Sequence, residues 1–290
     1  MFNGALTALI TPFRDGAVDE PALRDLVEWQ IQSGIDGLVP CGSTGESATL
    51  THEEHERVIR ITIEQARKRV PVIAGTGSNA TAEAIRLTAS ARAMGADGAL
   101  LISPYYNKPT QEGIFKHYKL IAASVDLPLL VYNIPGRTAS NIAPETFARL
   151  SEIKNIAGVK EASGSMDQVS DILRLCGDRL AILSGDDALT LPIMALGGRG
   201  VISTVSNVMP REMHELAAAA IVGDFQGARA VHYRMLPLLR MLFIETNPIP
   251  VKCALALIGK CANELRLPLV PMTASASEKL KAAMKELRLV

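Results

Sequence analysis

The sequence predicts a (β/α)8 TIM barrel that carries a small group of helices at its C-terminal end. Eight short apolar runs follow one another over the first 207 residues, and longer amphipathic stretches separate them. The runs are apolar throughout, which is typical of strands that are buried on both faces of a parallel sheet. Eight such units favour a closed barrel over an open doubly wound sheet, which is the structural alternative.

The apolar runs occupy residues 5–12, 36–44, 70–78, 97–106, 127–136, 156–164, 180–188 and 200–207. Stretches between them, such as 20–34, 51–69 and 81–95, place apolar residues at i, i+3 and i+4, as amphipathic helices do. After Asn207 the pattern is helical only, with Pro210 and Pro248 near helix starts. We therefore expect a catalytic barrel over 1–225 and a C-terminal helical domain over 226–290.

Composition excludes several classes of protein. Thirty basic residues balance thirty acidic ones, so no overall charge recruits nucleic acid or an anionic membrane. No run reaches 18 apolar residues, and the N-terminal segment lacks the basic residues of a signal peptide. The four cysteines, Cys41, Cys176, Cys253 and Cys261, show no CxxC pair, so reduced thiols are expected. These features predict a cytoplasmic protein.

Polar side chains follow the predicted strands, at the rim where TIM barrels hold their active sites. Hydroxyls, two tyrosines, one arginine and one lysine are found there. The rim segments read GSTGES (42–47), GTGSN (75–79), SPYYN (103–107), YNIPGRT (132–138), KEASG (160–164) and SGDD (184–187).

Lys160 is the most informative of these residues because it ends a buried strand. The structural alternative is a lysine that snorkels to solvent or forms a salt bridge, for which Glu161 is the nearest candidate in sequence. Adjacent strand residues point to opposite faces, however, so Lys160 and Glu161 are badly placed to pair. An amine that faces the barrel interior has its pKa lowered by burial, which frees a nucleophile near neutral pH. Schiff-base chemistry on a carbonyl substrate requires such an amine.

The GSTGES segment predicts a small anion site. We expect it to turn a strand into a helix, with Thr44 and Ser47 as possible caps, so that free N–H groups and the helix dipole face a carboxylate. An ordinary capped helix start is the alternative.

Three motifs do not carry the functions that they suggest. GTGSNA lacks the acidic residue that a dinucleotide site needs, and His52 and His55 form H-x-x-H without a clear third zinc ligand. The loops after the last two strands lack the glycines of a phosphate site. We expect neither a metal nor a cofactor, other than the covalent Schiff base itself.

In order along the chain, CGSTGES, YYNKP, YNIPGRT, GVKEASG, SGDD and NPIPVK resemble the dihydrodipicolinate synthase family. The resemblance implies a class I aldolase-type lyase that condenses pyruvate with L-aspartate 4-semialdehyde to 4-hydroxy-tetrahydrodipicolinate, on the route to lysine. It also implies a homotetramer, a dimer of dimers.

The same resemblance assigns roles to particular residues. Lys160 forms the Schiff base and Tyr132 is the general acid and base. Ser43 and Tyr106 complete a hydroxyl relay, with Tyr106 lent by a neighbouring subunit. Ser43 departs from the threonine that is common there, so its hydroxyl is retained with a less restricted rotamer. The substrate-binding residues are Thr44, Arg137, Gly185 and Ile202.

Arg137 helps to choose between related enzymes. N-acetylneuraminate lyase shares the lysine, the tyrosine and the GSTGE-like loop but normally lacks PGRT, so it remains the alternative, together with other pyruvate-dependent aldolases. A surface salt bridge is the structural alternative for Arg137. A non-catalytic barrel that binds a ketoacid is the alternative from another class, although binding alone needs no nucleophile.

A second set of residues matches the site at which members of the family bind inhibitory lysine at a subunit interface. On that resemblance we expect feedback inhibition by L-lysine. Taken singly, the two histidines of the set read as exposed residues of a first helical turn. The set is Ser47, Ala48, His52, His55, Asn79, Glu83 and Tyr105.

Overall fold

Eight parallel strands form the centre of the molecule in a computed structural model that describes residues 2–290. Two further strands form a separate hairpin. In chain order the strands are β1 (Gly4–Ala8), β2 (Phe13–Arg14), β3 (Ala17–Val18), β4 (Gly37–Val39), β5 (Ile73–Gly75), β6 (Gly98–Ile102), β7 (Leu129–Asn133), β8 (Ile156–Glu161), β9 (Ala181–Ser184) and β10 (Gly200–Ser203). The hairpin consists of β2 and β3. Each predicted apolar run overlaps one of the other eight strands, and only β1 begins outside its run, by one residue.

The sheet curls into a nearly closed barrel. Its strand order is β4-β1-β10-β9-β8-β7-β6-β5, and a parallel bridge between Leu38 and Val72 links the two end strands. The N–H of Gly75 also donates to the Pro40 carbonyl at 2.9 Å. The (β/α)8 prediction is confirmed, and the open doubly wound alternative is wrong.

The helices surround this sheet, and most begin at a side-chain or proline signal that the sequence carries. They are α1 (Glu20–Gln32), α2 (His52–Ala66), α3 (Thr81–Met94), α4 (Gln111–Ser124), α5 (Pro135–Thr138), α6 (Pro144–Leu150), α7 (Met166–Cys176), α8 (Thr190–Ala195), α9 (Pro210–Ile221), α10 (Phe225–Met241), α11 (Ile249–Leu257) and α12 (Ala274–Glu286).

The antiparallel hairpin of β2 and β3 was not predicted. Its turn uses Asp15 and Gly16, which both have positive φ, 53° and 79°. Aspartate-glycine turns of this kind are a hairpin signal. Two-residue strands are too short, however, to show the alternation that identifies a strand in sequence.

The last three helices pack against the barrel. Helix α10 contacts α9 and α8, and α12 contacts α10 and α11. Leu238 of α10 and Val251 of α11 belong to the same apolar core as Ala5 of β1 and Leu38 of β4. The C-terminal helical appendage is therefore confirmed, while its boundary at residue 226 stays a prediction. Within residues 2–290, no helix is long and apolar enough to cross a membrane.

Candidate active site at the barrel mouth

Lys160 and Tyr132 lie side by side on neighbouring strands. Strands β7 and β8 pair in a register that sets Tyr132 opposite Lys160. Both side chains are only 6% exposed, and the Lys160 Nζ lies 4.3 Å from the centre of the Tyr132 ring. The parallel register thus places a buried amine against a buried phenol.

Burial makes this amine reactive. It lowers the pKa of Lys160 to about 8, with the charge of Arg137 lowering it further and that of Asp187 opposing the shift. At that pKa, roughly a tenth of the lysine is a neutral nucleophile at pH 7. Burial also raises the pKa of Tyr132, so this phenol is protonated at neutral pH.

Glu161 is not the partner of Lys160. Its carboxylate lies on the opposite face of β8, where it accepts hydrogen bonds from Asn133 Nδ2 at 3.1 Å and from the Ser163 N–H at 2.8 Å. Burial raises the pKa of Glu161, and these hydrogen bonds act in the opposite direction. The salt-bridge explanation of Lys160 is therefore wrong.

Of the two predicted pocket residues, Gly185 directly follows β9 and Ile202 lies in β10. A Cβ added to Gly185 would come within 3.0 Å of Lys160 Cε and Cγ, so only glycine leaves room for the lysine there. Ile202 is 1% exposed and belongs to the apolar cluster inside the barrel that includes Tyr132. Gly185 is therefore packed against the Lys160 side chain, and Ile202 shares the barrel interior with Tyr132.

The GSTGES loop after β4 does not lead directly into a helix as predicted. Helix α2 begins at His52, where Thr51 and Glu54 form a reciprocal capping box, and a single 3₁₀ turn over Ser47–Thr49 precedes it. Thr44 and Ser47 therefore do not cap α2, and the loop itself does not form the start of that helix.

The loop still presents donors to a ligand. The N–H groups of Gly45, Glu46 and Ser47 bond to carbonyls within it. Among the described residues, the N–H groups of Ser43 and Thr44 form no hydrogen bond, so they are available to an anion.

The C-terminal helices hold this loop in place. Glu46 has a positive φ of 53° and forms a buried ion pair with Lys252 of α11 at 2.5 Å. The Lys252 Nζ also lies 4.1 Å from the centre of the Phe13 ring. Thr44 is buried, and its hydroxyl accepts a hydrogen bond from Asn247 Nδ2 at 2.9 Å.

Arg137 lies on α5, at the edge of the mouth. Its Nη2 donates to the Asn247 main-chain carbonyl at 3.0 Å, and its side chain lines the same cavity as Ser43 and Tyr132. The surface salt bridge that was its structural alternative is not found among the described residues; the guanidinium instead bonds to a carbonyl and faces the cavity.

Tyr106 is not brought to Lys160 within the chain. Its side chain is 90% exposed, and its φ of 72° is left-handed. The left-handed backbone of Tyr106 turns the chain at this point, so Tyr105 and Tyr106 do not lie on an extended segment. Tyr105 is 38% exposed and lines the cavity.

The cavity, of about 510 Å³, extends from the mouth toward the predicted lysine site. Ser47, Ala48, His52, His55, Glu83 and Tyr105 of that set line it. Asn79 does not, but its Nδ2 donates to the Tyr105 carbonyl at 3.1 Å.

The two histidines of the set lie in different surroundings. His52 is exposed and contacts Glu83 at 3.0 Å, whereas His55 is buried and contacts the Gly75 carbonyl at 2.8 Å. The expectation of two exposed histidines is therefore wrong for His55. Hydrogen bonds from Ser78 and His52 lower the pKa of Glu83, which favours its charged form.

Sequence reasoning gave no role to three residues of this site: Asn247, Lys252 and Asp187. Asn247 and Lys252 lie in the quoted NPIPVK motif, and Asp187 lies in SGDD, so the motifs signalled these positions without indicating their contacts. Asp187 is 2% exposed and accepts hydrogen bonds from the N–H groups of Thr204 and Val205, both at 3.0 Å.

Within residues 2–290, no cluster of three or more histidine, cysteine, aspartate or glutamate side chains could hold a metal ion. All four cysteines are free thiols. The residues that meet at the mouth are therefore an amine, a phenol, hydroxyls and a guanidinium, which suit covalent chemistry on carbonyl compounds that bear carboxylates.

A buried lysine beside a tyrosine at the mouth of a TIM barrel suits Schiff-base chemistry of the aldolase type. Comparison with known proteins identifies the family. The model of the dihydrodipicolinate synthetase family matches residues 1–287, and the chain belongs to that family.

Individual members of the family are similar to this chain over their full length. The chain is 60% identical to the 4-hydroxy-tetrahydrodipicolinate synthase of Syntrophus aciditrophicus, covering 100% of both chains. It is 45% identical to the chloride-inhibited dihydrodipicolinate synthase of Acinetobacter baumannii in complex with pyruvate, with a TM-score of 0.99 and 100% of both chains covered. The enzyme of Cyanidioschyzon merolae with lysine bound is 42% identical, with a TM-score of 0.97 and coverage of 100% of this chain and 99% of that one.

Proposed function

We propose that the chain condenses pyruvate with L-aspartate 4-semialdehyde to 4-hydroxy-tetrahydrodipicolinate, through a Schiff base on Lys160. One observation carries the mechanism: a buried amine with a pKa lowered to about 8 lies 4.3 Å from the ring of a buried tyrosine. The shared name of its full-length relatives supports the reaction. A barrel that only binds a ketoacid has no need of such an amine.

The first half of the reaction takes place at Lys160. Its neutral amine adds to the ketone carbon of pyruvate, and the carbinolamine loses water to give a cationic imine, with Tyr132 transferring protons. Thr44, with the free N–H groups of its loop, holds the pyruvate carboxylate. The positive imine acidifies the methyl group, which loses a proton and becomes a nucleophilic enamine.

The second half joins the two substrates. The enamine carbon attacks the aldehyde of the semialdehyde, whose carboxylate is held by Arg137. The amino group of the new chain then attacks the imine carbon, the ring closes, and the Lys160 amine is released. The protons are relayed by Ser43, Tyr132 and a Tyr106 that a neighbouring subunit contributes. The Tyr106 side chain is 90% exposed within its own chain, which supports its contribution to another subunit.

The assembly and its regulation belong to the same proposal. The chain acts as a homotetramer, a dimer of dimers, which seats Tyr106 against a second subunit. L-lysine inhibits it by binding to the predicted set around Glu83, and the lysine-bound relative supports this. The four free thiols favour a reducing compartment, and we infer a cytoplasmic location.

Steady-state assays on the purified chain test the reaction. With pyruvate present, we expect turnover of aspartate semialdehyde, no cleavage of N-acetylneuraminate, and loss of turnover in Lys160→Ala. Cleavage of N-acetylneuraminate at a comparable rate would instead assign the chain the activity of N-acetylneuraminate lyase. Unchanged turnover in Lys160→Ala would remove the lysine from the mechanism.

A further inference from the structure

Asn247 contacts both of the residues to which carboxylate binding is assigned. It precedes α11 and is 6% exposed. Its side-chain amide donates to the Thr44 hydroxyl at 2.9 Å, and its main-chain carbonyl accepts from Arg137 Nη2 at 3.0 Å. One residue of the C-terminal helical segment thus joins the loop after β4 to the loop after β7.

The direction of the Thr44 contact decides what that hydroxyl can do. A hydroxyl has one hydrogen and two acceptor lone pairs. When Asn247 Nδ2 donates to one lone pair, the hydrogen of Thr44 is left to donate elsewhere. A carboxylate can only accept, so a threonine held in this way is oriented to bind one.

The rest of the Asn247 side chain supports a functional role. Its Oδ1 is buried and has no hydrogen-bond partner among the described residues. Buried polar atoms are nearly always paired, and an unpaired one in a native fold calls for an explanation. Here only the end that faces Thr44 is used.

We propose that Asn247 is a positioning residue for both substrates. Its side-chain amide fixes the Thr44 hydroxyl as a donor to the pyruvate carboxylate, and its main-chain carbonyl fixes the Arg137 guanidinium that holds the semialdehyde. The proposal rests on the proposed function, and it separates the two substrates: a change of side chain affects pyruvate alone, because the main-chain carbonyl remains.

Reductive trapping with borohydride at graded pyruvate concentrations measures the pyruvate step directly. In Asn247→Ala we expect the half-saturating pyruvate concentration to rise about threefold to tenfold, the effect of one hydrogen bond. The KM for the semialdehyde stays near the wild-type value. Asn247→Asp keeps the shape but makes the Thr44 hydroxyl donate to its carboxylate and adds a negative charge, so we expect a rise of more than about tenfold.

Two controls separate positioning from general stability. Asn155 directly precedes β8, at the other end of the barrel, and its side-chain amide donates to three carbonyls in the last turn of α4 and the segment that leads from it to β7; Asn155→Ala should leave pyruvate saturation unchanged. In a Thr44→Val background, Asn247→Ala should add no further shift, because Asn247 acts through the threonine hydroxyl.

The outcomes are distinct. If wild type forms no adduct with pyruvate, the proposed function fails. If wild type forms one and Asn247→Asp saturates at the same pyruvate concentration, the positioning role fails. Additive shifts in the Thr44→Val background, or equal losses for pyruvate and semialdehyde, would also overturn it, since they indicate a collapsed loop.

Discussion

Burial of the Lys160 amine affects the reactivity and the stability of the molecule in opposite directions. The pKa of Lys160 falls from its ordinary 10.5 to about 8, because the barrel mouth disfavours the charged form. The same shift makes the charged lysine unfavourable for folding. The unfolded chain binds the proton more tightly, so stability attributable to this group rises with pH between about 8 and 10.5.

Lys160→Met should therefore stabilise the protein at neutral pH while abolishing activity. Below pH 8 the variant avoids a penalty on the order of 3 kcal/mol, and its advantage over wild type should shrink as pH approaches 10.5. Urea unfolding of both proteins at pH 7 and pH 10 checks this expectation. A difference in unfolding free energy that does not change with pH contradicts it.

The Tyr132 hydroxyl is expected to act in proton transfer rather than in binding. Tyr132→Phe keeps the ring against Lys160 and removes the hydroxyl, so imine formation should slow by about 10² to 10⁴, the usual range for general acid–base catalysis. Stopped-flow or quenched borohydride trapping gives the rate. A variant that loses pyruvate affinity but keeps the rate would mean that the phenol binds substrate instead.

At the scale of elements, the C-terminal helices complete a site that the barrel strands begin. The ion pair between Glu46 and Lys252 joins residues 206 positions apart, and the bond between Thr44 and Asn247 spans 203. Local periodicity identifies strands and helices but says nothing about which distant elements touch. This is why Lys160 could be singled out from the buried strand that it ends, and Tyr132 from the family motif, whereas the contacts of Asn247 could not be predicted.

The start of α2 shows a second limit on what the sequence predicts. Thr51 and Glu54 have the spacing of a capping box, but the hydroxyls of GSTGES equally predict a helix start, and sequence alone does not decide between the two. Eight strands were predictable because each is a continuous apolar run between helical stretches. The hairpin of β2 and β3 was not predictable, since a strand of two residues is too short to show the alternation of apolar and polar residues.

Breaking the buried ion pair on one side should destabilise the barrel mouth. Lys252→Met leaves the Glu46 carboxylate buried without its charge partner, at an expected cost of about 3 kcal/mol in unfolding free energy. The double variant Glu46→Gln with Lys252→Met removes both charges and should recover most of that loss. Equal stability of the single and double variants, measured in urea, contradicts this account.

At the scale of the whole molecule, the proposal requires a second subunit at two places, the exposed Tyr106 and the cavity that the predicted lysine-site residues line. Tyr106 contributes to catalysis only if another chain covers it. Sedimentation should therefore give a mass of four chains of 31.0 kDa each. A fully active monomer would leave Tyr106 without a role.

Inhibition by lysine should depend on the charge of Glu83. Replacing it as Glu83→Gln removes a charge-assisted contact to the ligand ammonium, so the half-inhibitory lysine concentration should rise at least about tenfold. Glu56→Gln offers a matched control, because Glu56 lies on α2 outside the cavity and contacts Arg86 at 3.5 Å. Equal inhibition of wild type and Glu83→Gln in a lysine titration would place the inhibitor elsewhere.

The central claim is that one sheltered amine forms the covalent link to pyruvate. Incubation with pyruvate and borohydride, followed by peptide mass mapping, tests it most directly. We expect a single adduct, on Lys160, whose rate of formation rises with pH toward about 8 as the amine loses its proton. An adduct on another lysine, or no adduct in a chain that turns over both substrates, would contradict the account.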